Sequence, residues 1–175
     1  MIRVVMDTSS LVSLGMIGFL EKSLKIIEIV VPKTVVSELK EISKYSDKEG
    51  KSAKKVLKLV KNDRIKTVKV KGTKKVNSLL SSDVNRGEAE CFVCCIEQKI
   101  KTLIMDDVDA AYKLEGLAIA ENVKMKISVA VIVELMREKI ITKKQVVSGI
   151  KRMIKTREWE GGVLEALGKR YLSNL

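Results

Sequence analysis

Ile2-Arg3-Val4-Val5-Met6-Asp7-Thr8-Ser9-Ser10 passes from an apolar run to a cluster of small polar residues within nine positions. The run Ile2 to Met6 suits a buried strand, and Asp7-Thr8-Ser9-Ser10 suits the start of a helix. The same change of period recurs downstream. Ile26 to Val31 reads as a strand closed by Pro32, and Thr34 to about Lys44 as a helix with Val35, Leu39 and Ile42 on one stripe. Lys51 to Lys61 reads as an amphipathic helix. Ala53, Val56, Leu57 and Val60 form its apolar face, and Lys51, Lys54, Lys55 and Lys58 its charged face. Ile65 to Val70 suits a short strand or extended edge. Gly87 to Lys99 suits a helix, Thr102 to Met105 a strand, and Asp107 to about Leu117 a further helix. Lys124 to Val129 reads as a last strand running straight into a helix, and Thr142 to Leu175 as two helices broken at Gly161-Gly162. Strand-helix alternation of this kind predicts an α/β fold, a mainly parallel sheet with helices on both faces.

The 175 residues fit one domain, and 46% hydrophobic with 32% charged content is neither disordered nor membrane-embedded in character. The longest apolar stretch, Ile127 to Met136, contains Glu134 and is too short to span a bilayer. No secretory signal pattern is expected at the start. Cys91, Cys94 and Cys95 fall in one segment, which fits reduced thiols and a cytoplasmic location. Their spacing also suits half of a zinc or redox site, but no second cysteine pair or histidine completes one, and thiols among Phe92, Val93 and Ile96 read as core. The absence of histidine excludes Ser-His-Asp hydrolysis and paired-histidine ribonuclease chemistry.

The net charge of +12 points to a polyanionic partner, most simply nucleic acid. The charge is concentrated: Lys48 to Lys75 holds 12 Lys or Arg residues against two acids, Glu49 and Asp63. That segment is the expected polyanion track, with Lys51, Lys54, Lys55, Lys58, Lys69 and Lys71 as its candidate phosphate contacts. A solvated helix face is the other reading of the same lysines.

Four positions for carboxylates stand out against this background. Ligands of open α/β sheets bind beyond the carboxyl ends of the strands. Asp7 and the pair Asp106-Asp107 follow apolar runs there, where an aspartate also serves as a helix cap. Glu38 shares the apolar stripe of its helix, where a lone buried carboxylate is costly unless paired or metal-bound; at the stripe's edge it would reach water. Glu88 lies three residues after Asn85, so it reads either as half of a capping box or as a site residue. Converging carboxylates repel one another unless a cation sits among them, and an all-oxygen set suits Mg²⁺ or Mn²⁺ and phosphate chemistry.

In order and approximate spacing, Val4-Val5-Met6-Asp7-Thr8-Ser9, Val35-Val36-Ser37-Glu38-Leu39, Arg86-Gly87-Glu88-Ala89-Glu90 and Leu103-Ile104-Met105-Asp106-Asp107 resemble PIN-domain nucleases, over about residues 1 to 137. The resemblance implies a three-layer α/β/α sandwich, with 1–137 as the nuclease domain and 138–175 as a C-terminal helical extension packed on it. It implies an endoribonuclease with Mg²⁺ or Mn²⁺, acting on RNA, with single strands favoured. The toxin of a toxin–antitoxin pair, with an antitoxin protein as partner, is one role that the family offers. Carried over, the catalytic acids are Asp7, Glu38, Glu88 and Asp107, with Asp7, Glu88, Asp106 and Asp107 as metal ligands. Asp106 rivals Asp107 as the main ligand, and Thr8 or Ser9 supports by hydrogen bonds. Glu90 is expected to point elsewhere. Glu88 departs from the aspartate common at that position. The apolar C-terminal helix pair makes a homodimer an expected assembly. The alternative is a PIN-like RNA-binding or assembly module without catalysis. A dehalogenase-type pocket is disfavoured by Ser9 and a receiver by the single acid Asp7 at the first strand end. No glycine-rich turn follows the first strand to suit a nucleotide-binding fold.

Overall fold

A computed structural model describes residues 1–173. Up to Pro32 the predicted elements form β1 (Ile2–Met6), α1 (Thr8–Met16) and β2 (Ile27–Pro32), with a short helix that the sequence did not predict, α2 (Leu20–Ser23), before β2. The chain continues through α3 (Lys33–Ile42), α4 (Lys48–Lys61), β3 (Lys66–Val68), α5 (Thr73–Leu79) and α6 (Arg86–Glu97). It ends in β4 (Thr102–Ile104), α7 (Val108–Ala120), β5 (Lys124–Lys126), α8 (Ser128–Arg137), α9 (Lys143–Thr156) and α10 (Val163–Ser173).

The five strands form one all-parallel sheet in the order β3-β2-β1-β4-β5. β1 is central. β2 lies on one side of it, in register Val4↔Ile29, and β4 on the other, in register Met6↔Ile104. The chain direction across the sheet reverses at β1, so a crevice opens beyond its carboxyl end. Pairing runs past the strand ends, with Asp7 N–H donating to Ile104 O at 3.1 Å and Met105 N–H to Lys126 O at 2.9 Å. These bonds hold Asp7 and the Asp106-Asp107 pair at one edge. Helices flank the sheet as in an α/β/α sandwich, with α6 against β1, β2 and β4.

Several boundaries and faces differ from the sequence expectation. α4 begins at Lys48 rather than Lys51, because the Asp47 side chain accepts from Gly50 N–H at 2.7 Å and caps it. Its buried face is Ser52, Ala53, Val56 and Leu59, while Leu57 and Val60 are only partly buried. The reason is a close crossing with α1. Ser52 Oγ donates to Val12 O at 2.9 Å, and a Cβ on Gly15 would collide with that hydroxyl. Lys51, Lys54, Lys55 and Lys58 remain exposed on the opposite face. The last strand ends at Lys126, and Ile127 and Val129 belong to the start of α8. The break between the last two helices spans Arg157 to Gly162. Glu158 and Gly161 both carry positive φ there, at 54° and 79°.

The C-terminal helices join the same body. α9 packs on α1 and α8, and α10 on α8 and α9. Val146, Ile150, Met153 and Ile154 of α9 are buried, and its Gly149 lies against the ring of Phe19, where a side chain would not fit. Asn174 and Leu175, the end of the expected extension, lie outside the described residues. Among the described residues no helix is long and apolar enough to cross a membrane. The three cysteines are free and buried, and burial raises all three thiols, that of Cys94 to about 12.

Candidate active site

The acids at the carboxyl edge arrive there as caps. Asp7 is the N-cap of α1, its Oδ1 accepting from Ser10 N–H at 2.8 Å. Asp107 is the N-cap of α7, its Oδ1 accepting from Ala110 N–H at 2.9 Å. Glu88 completes a capping box at the start of α6. Its Oε2 accepts from Asn85 N–H at 2.7 Å, and Asn85 Oδ1 accepts from Glu88 N–H at 3.0 Å. Glu38 reaches the same place from α3, half-buried, and accepts a hydrogen bond from Thr8 Oγ1.

Asp7, Glu38, Glu88 and Asp107 line one cavity of about 200 Å³, together with Thr8 and Ser9. Gly87 makes the convergence of α3 and α6 feasible, since a Cβ there would run into the Glu38 carboxylate. This is a structural reason for glycine in the Arg86-Gly87-Glu88 element. Glu90 turns away, accepting from Thr34 Oγ1 and pairing with Arg86 at 3.7 Å. Asp106 does not line the cavity. It is buried behind Asp7, and Ser128 takes both of its oxygens, N–H to Oδ1 and Oγ to Oδ2, each at 2.8 Å.

Burial and crowding of acids mark the site. Asp7 is 4% exposed, and burial, reinforced by the Asp106 charge, pushes its carboxyl from 3.8 to about 8. Burial likewise pushes Glu88 to about 7, with the charges of Asp107 and Glu38 adding to the effect. Burial raises Asp106 as well, against the bonds from Ser128. Among the described residues no three carboxylate or thiol side chains are already gathered tightly enough to close on an ion; each acid is held by its own partner.

Two charged residues outside the predicted site also line the cavity, Glu49 of α4 and Arg157 at the end of α9. Arg157 Nη1 donates to Glu49 Oε1, and Nη2 donates to Ser9 Oγ at 3.2 Å. Glu49 carried one signal, as one of only two acids in the lysine-rich segment. Arg157 carried none, being 148 positions from Ser9 and brought there by packing alone.

The basic segment divides in space. Lys48 and Lys51 line a groove of about 630 Å³ with Lys155, and this groove shares Glu49 and Arg157 with the acidic cavity. Lys55 and Lys58 line a separate cavity of about 580 Å³ with Lys22 and Arg64. Lys54, Lys69 and Lys71 are exposed. Lys71 is tied through its backbone N–H to Glu97, 3.0 Å away, at the opposite end of α6 from Glu88.

A family model described as a PIN domain matches residues 3–162, from the first strand to the turn after α9. No curated protein and no solved structure matches the chain. PIN domains are generally nucleases and typically use divalent metals. The match spans nearly the whole chain, and the all-parallel sheet with acids at its switch point agrees with it: the protein belongs to the PIN-domain family.

Proposed function

We propose that this protein is a divalent-metal-dependent endoribonuclease acting on single-stranded RNA. The observation that carries the reading is the convergence of Asp7, Glu38, Glu88 and Asp107 on one cavity in a chain of net charge +12. The donors fit a hard divalent cation in kind. All are carboxylate oxygens, and burial and mutual repulsion have raised Asp7 and Glu88, a cost that a cation among them relieves.

Asp7, Glu88 and Asp107 would hold Mg²⁺ or Mn²⁺, with Glu38 facing them from α3. A bound ion of this kind activates water and offsets the charge that grows on the phosphate in the transition state. The remaining work belongs to the chain. Thr8 fixes the Glu38 carboxylate. Asp106, held by Ser128, adds its charge from behind Asp7. Lys48, Lys51 and Lys155 hold backbone phosphates in the groove that adjoins the cavity.

The test is incubation of structured and unstructured RNAs with the purified protein in Mn²⁺ or Mg²⁺ against EDTA. Internal cleavage of unstructured RNA that requires the metal and vanishes in Asp7→Asn is the expected result. RNA binding without cleavage under every metal condition would overturn the reading and leave a non-catalytic RNA-binding module.

A further inference from the structure

We propose that Arg157 is the phosphate-binding residue of the acidic cavity and that Glu49 is its latch, displaced when an RNA phosphate arrives. The inference rests on the reading of this cavity as an RNA-cleaving site and names the residue that meets the substrate there.

Among the described residues, Arg157 is the single cation lining a cavity that also presents Asp7, Glu38, Glu49, Glu88 and Asp107. A phosphodiester entering such a place meets repulsion on every side unless the protein supplies a counter-charge. A guanidinium suits that task, because its planar fork matches two phosphate oxygens at once. Arg157 is positioned for it by rigid structure. Its backbone N–H donates to Met153 O at 2.9 Å at the end of α9, and its side chain is only 16% exposed.

The hydrogen bonding of Arg157 is incomplete. Nη1 goes to Glu49 and Nη2 to the neutral hydroxyl of Ser9, but Nε–H is buried with no acceptor. A buried N–H without a partner is a standing cost that native structures seldom tolerate without a reason. Glu49, by contrast, has a side chain 47% exposed, and no other side-chain hydrogen bond holds it among the described residues. Its carboxylate can swing into solvent at little cost.

The surroundings give the direction from which a phosphate would come. The groove, where Lys48, Lys51 and Lys155 stand beside the acids Asp47 and Glu158, meets the acidic cavity at Glu49 and Arg157, which line both. A strand lying along the lysines therefore reaches the carboxylates by passing over this pair. A phosphate there takes the place of the Glu49 carboxylate on the guanidinium, and charge is exchanged for charge.

The experiment measures binding of a short single-stranded RNA in Ca²⁺ across a salt series, for wild type, Arg157→Gln, Arg157→Lys and Glu49→Gln. Thermal melting of each variant accompanies the binding data. Arg157→Gln is expected to weaken binding about tenfold or more and to make the slope of log affinity against log salt shallower by about 0.7, one phosphate contact on a single strand. Arg157→Lys keeps the charge and hence the slope, but loses the fork and part of the affinity. Glu49→Gln frees the guanidinium and raises affinity about threefold, the scale of an exposed ion pair. Wild-type affinity and slope in Arg157→Gln would overturn the proposal and reduce the pair to a tie between α4 and α9. So would equal losses of binding in Arg157→Gln and Glu49→Gln, or no RNA binding by wild type. Cleavage by wild type in Mn²⁺ is read separately. Its absence beside Arg157-dependent binding rejects the nuclease reading alone, and its presence beside Arg157-independent binding rejects this inference alone.

Discussion

Replacing Asp7 by Asn should make the metal-free protein more stable at pH 8 and less able to use metal. In the fold the Asp7 carboxyl titrates at about 8 against 3.8 for an ordinary aspartate. The folded state therefore holds a proton that the unfolded chain has given up, and stability falls as pH rises between these two values. At pH 8 the difference amounts to about 5 kcal/mol. Asn removes that cost and keeps an oxygen for the Ser10 N–H bond, but it buries an amide N–H₂ with no provided acceptor, a loss of about 1–3 kcal/mol. The balance is a gain of about 2–4 kcal/mol, or a Tm rise of about 5–15 °C for a chain of this size. The assay is thermal unfolding in EDTA from pH 8 down to pH 4, then at pH 8 with Mn²⁺. The gain should shrink as pH falls, cross zero about one to two pH units above the lower limit, and become a loss of about 1–3 kcal/mol near pH 4, where the carboxyl is protonated in both states and only the amide cost remains. Mn²⁺ should raise the Tm of wild type and leave Asp7→Asn nearly unmoved. A Tm at or below wild type in EDTA at pH 8, or a gain that ignores pH, would refute the account of Asp7 as a buried, repelled carboxylate.

Two further perturbations bear on the site. Gly87→Ala drives a methyl group into the Glu38 carboxylate, so it should cost about 1–3 kcal/mol in chemical denaturation and should lower cleavage by displacing Glu38 from the cavity. The triple change Lys48→Gln, Lys51→Gln, Lys155→Gln should flatten the salt dependence of RNA binding by about 2, whereas Lys69→Gln with Lys71→Gln should leave it in place; equal slopes for the two variants would move the RNA path away from the groove beside Arg157.

Much of this fold could be read from residue patterns because its strands are buried on both sides. Val4, Val5 and Met6, or Ile29, Val30 and Val31, admit no water, so they appear as continuous apolar runs ending where the chain must turn. The acids were legible for a related reason: each stands at the end of such a run or against an apolar helix face. What escaped has equally plain causes. α2 has four residues, too few for a helical period to show, and α5 buries only Val76, so it presents no stripe. The tilt of the α4 face toward Leu59 follows from Ser52 meeting Val12 O across a close helix crossing, a contact 40 residues apart. Asp106 and Asp107 are adjacent and chemically alike in the sequence. Only the placement of α8, which starts two residues after β5 and packs on α1, α2 and α9, brings Ser128 to the first and leaves the second at the cavity.

The residues that the sequence left open between cap and ligand are caps in the structure, and this bears on how the proposed metal site would be held. Asp7 and Asp107 each give Oδ1 to a helix N-terminus, and Glu88 gives Oε2 to the Asn85 N–H. Each cap fixes the rotamer of its carboxylate and leaves the second oxygen outside the cap. The helix dipoles, positive at these ends, offset part of the repulsion that has raised Asp7 and Glu88. A carboxylate on a mobile loop would have to be immobilised by any cation it bound, and the affinity would fall by that entropy. Here the immobilisation accompanies folding, since the bonds that start α1, α6 and α7 are the same bonds that orient the acids. Glu38 is the exception, with no cap to make. Its orientation comes instead from Thr8, the first residue of the helix that Asp7 caps, so the fourth acid is fixed by reference to the first.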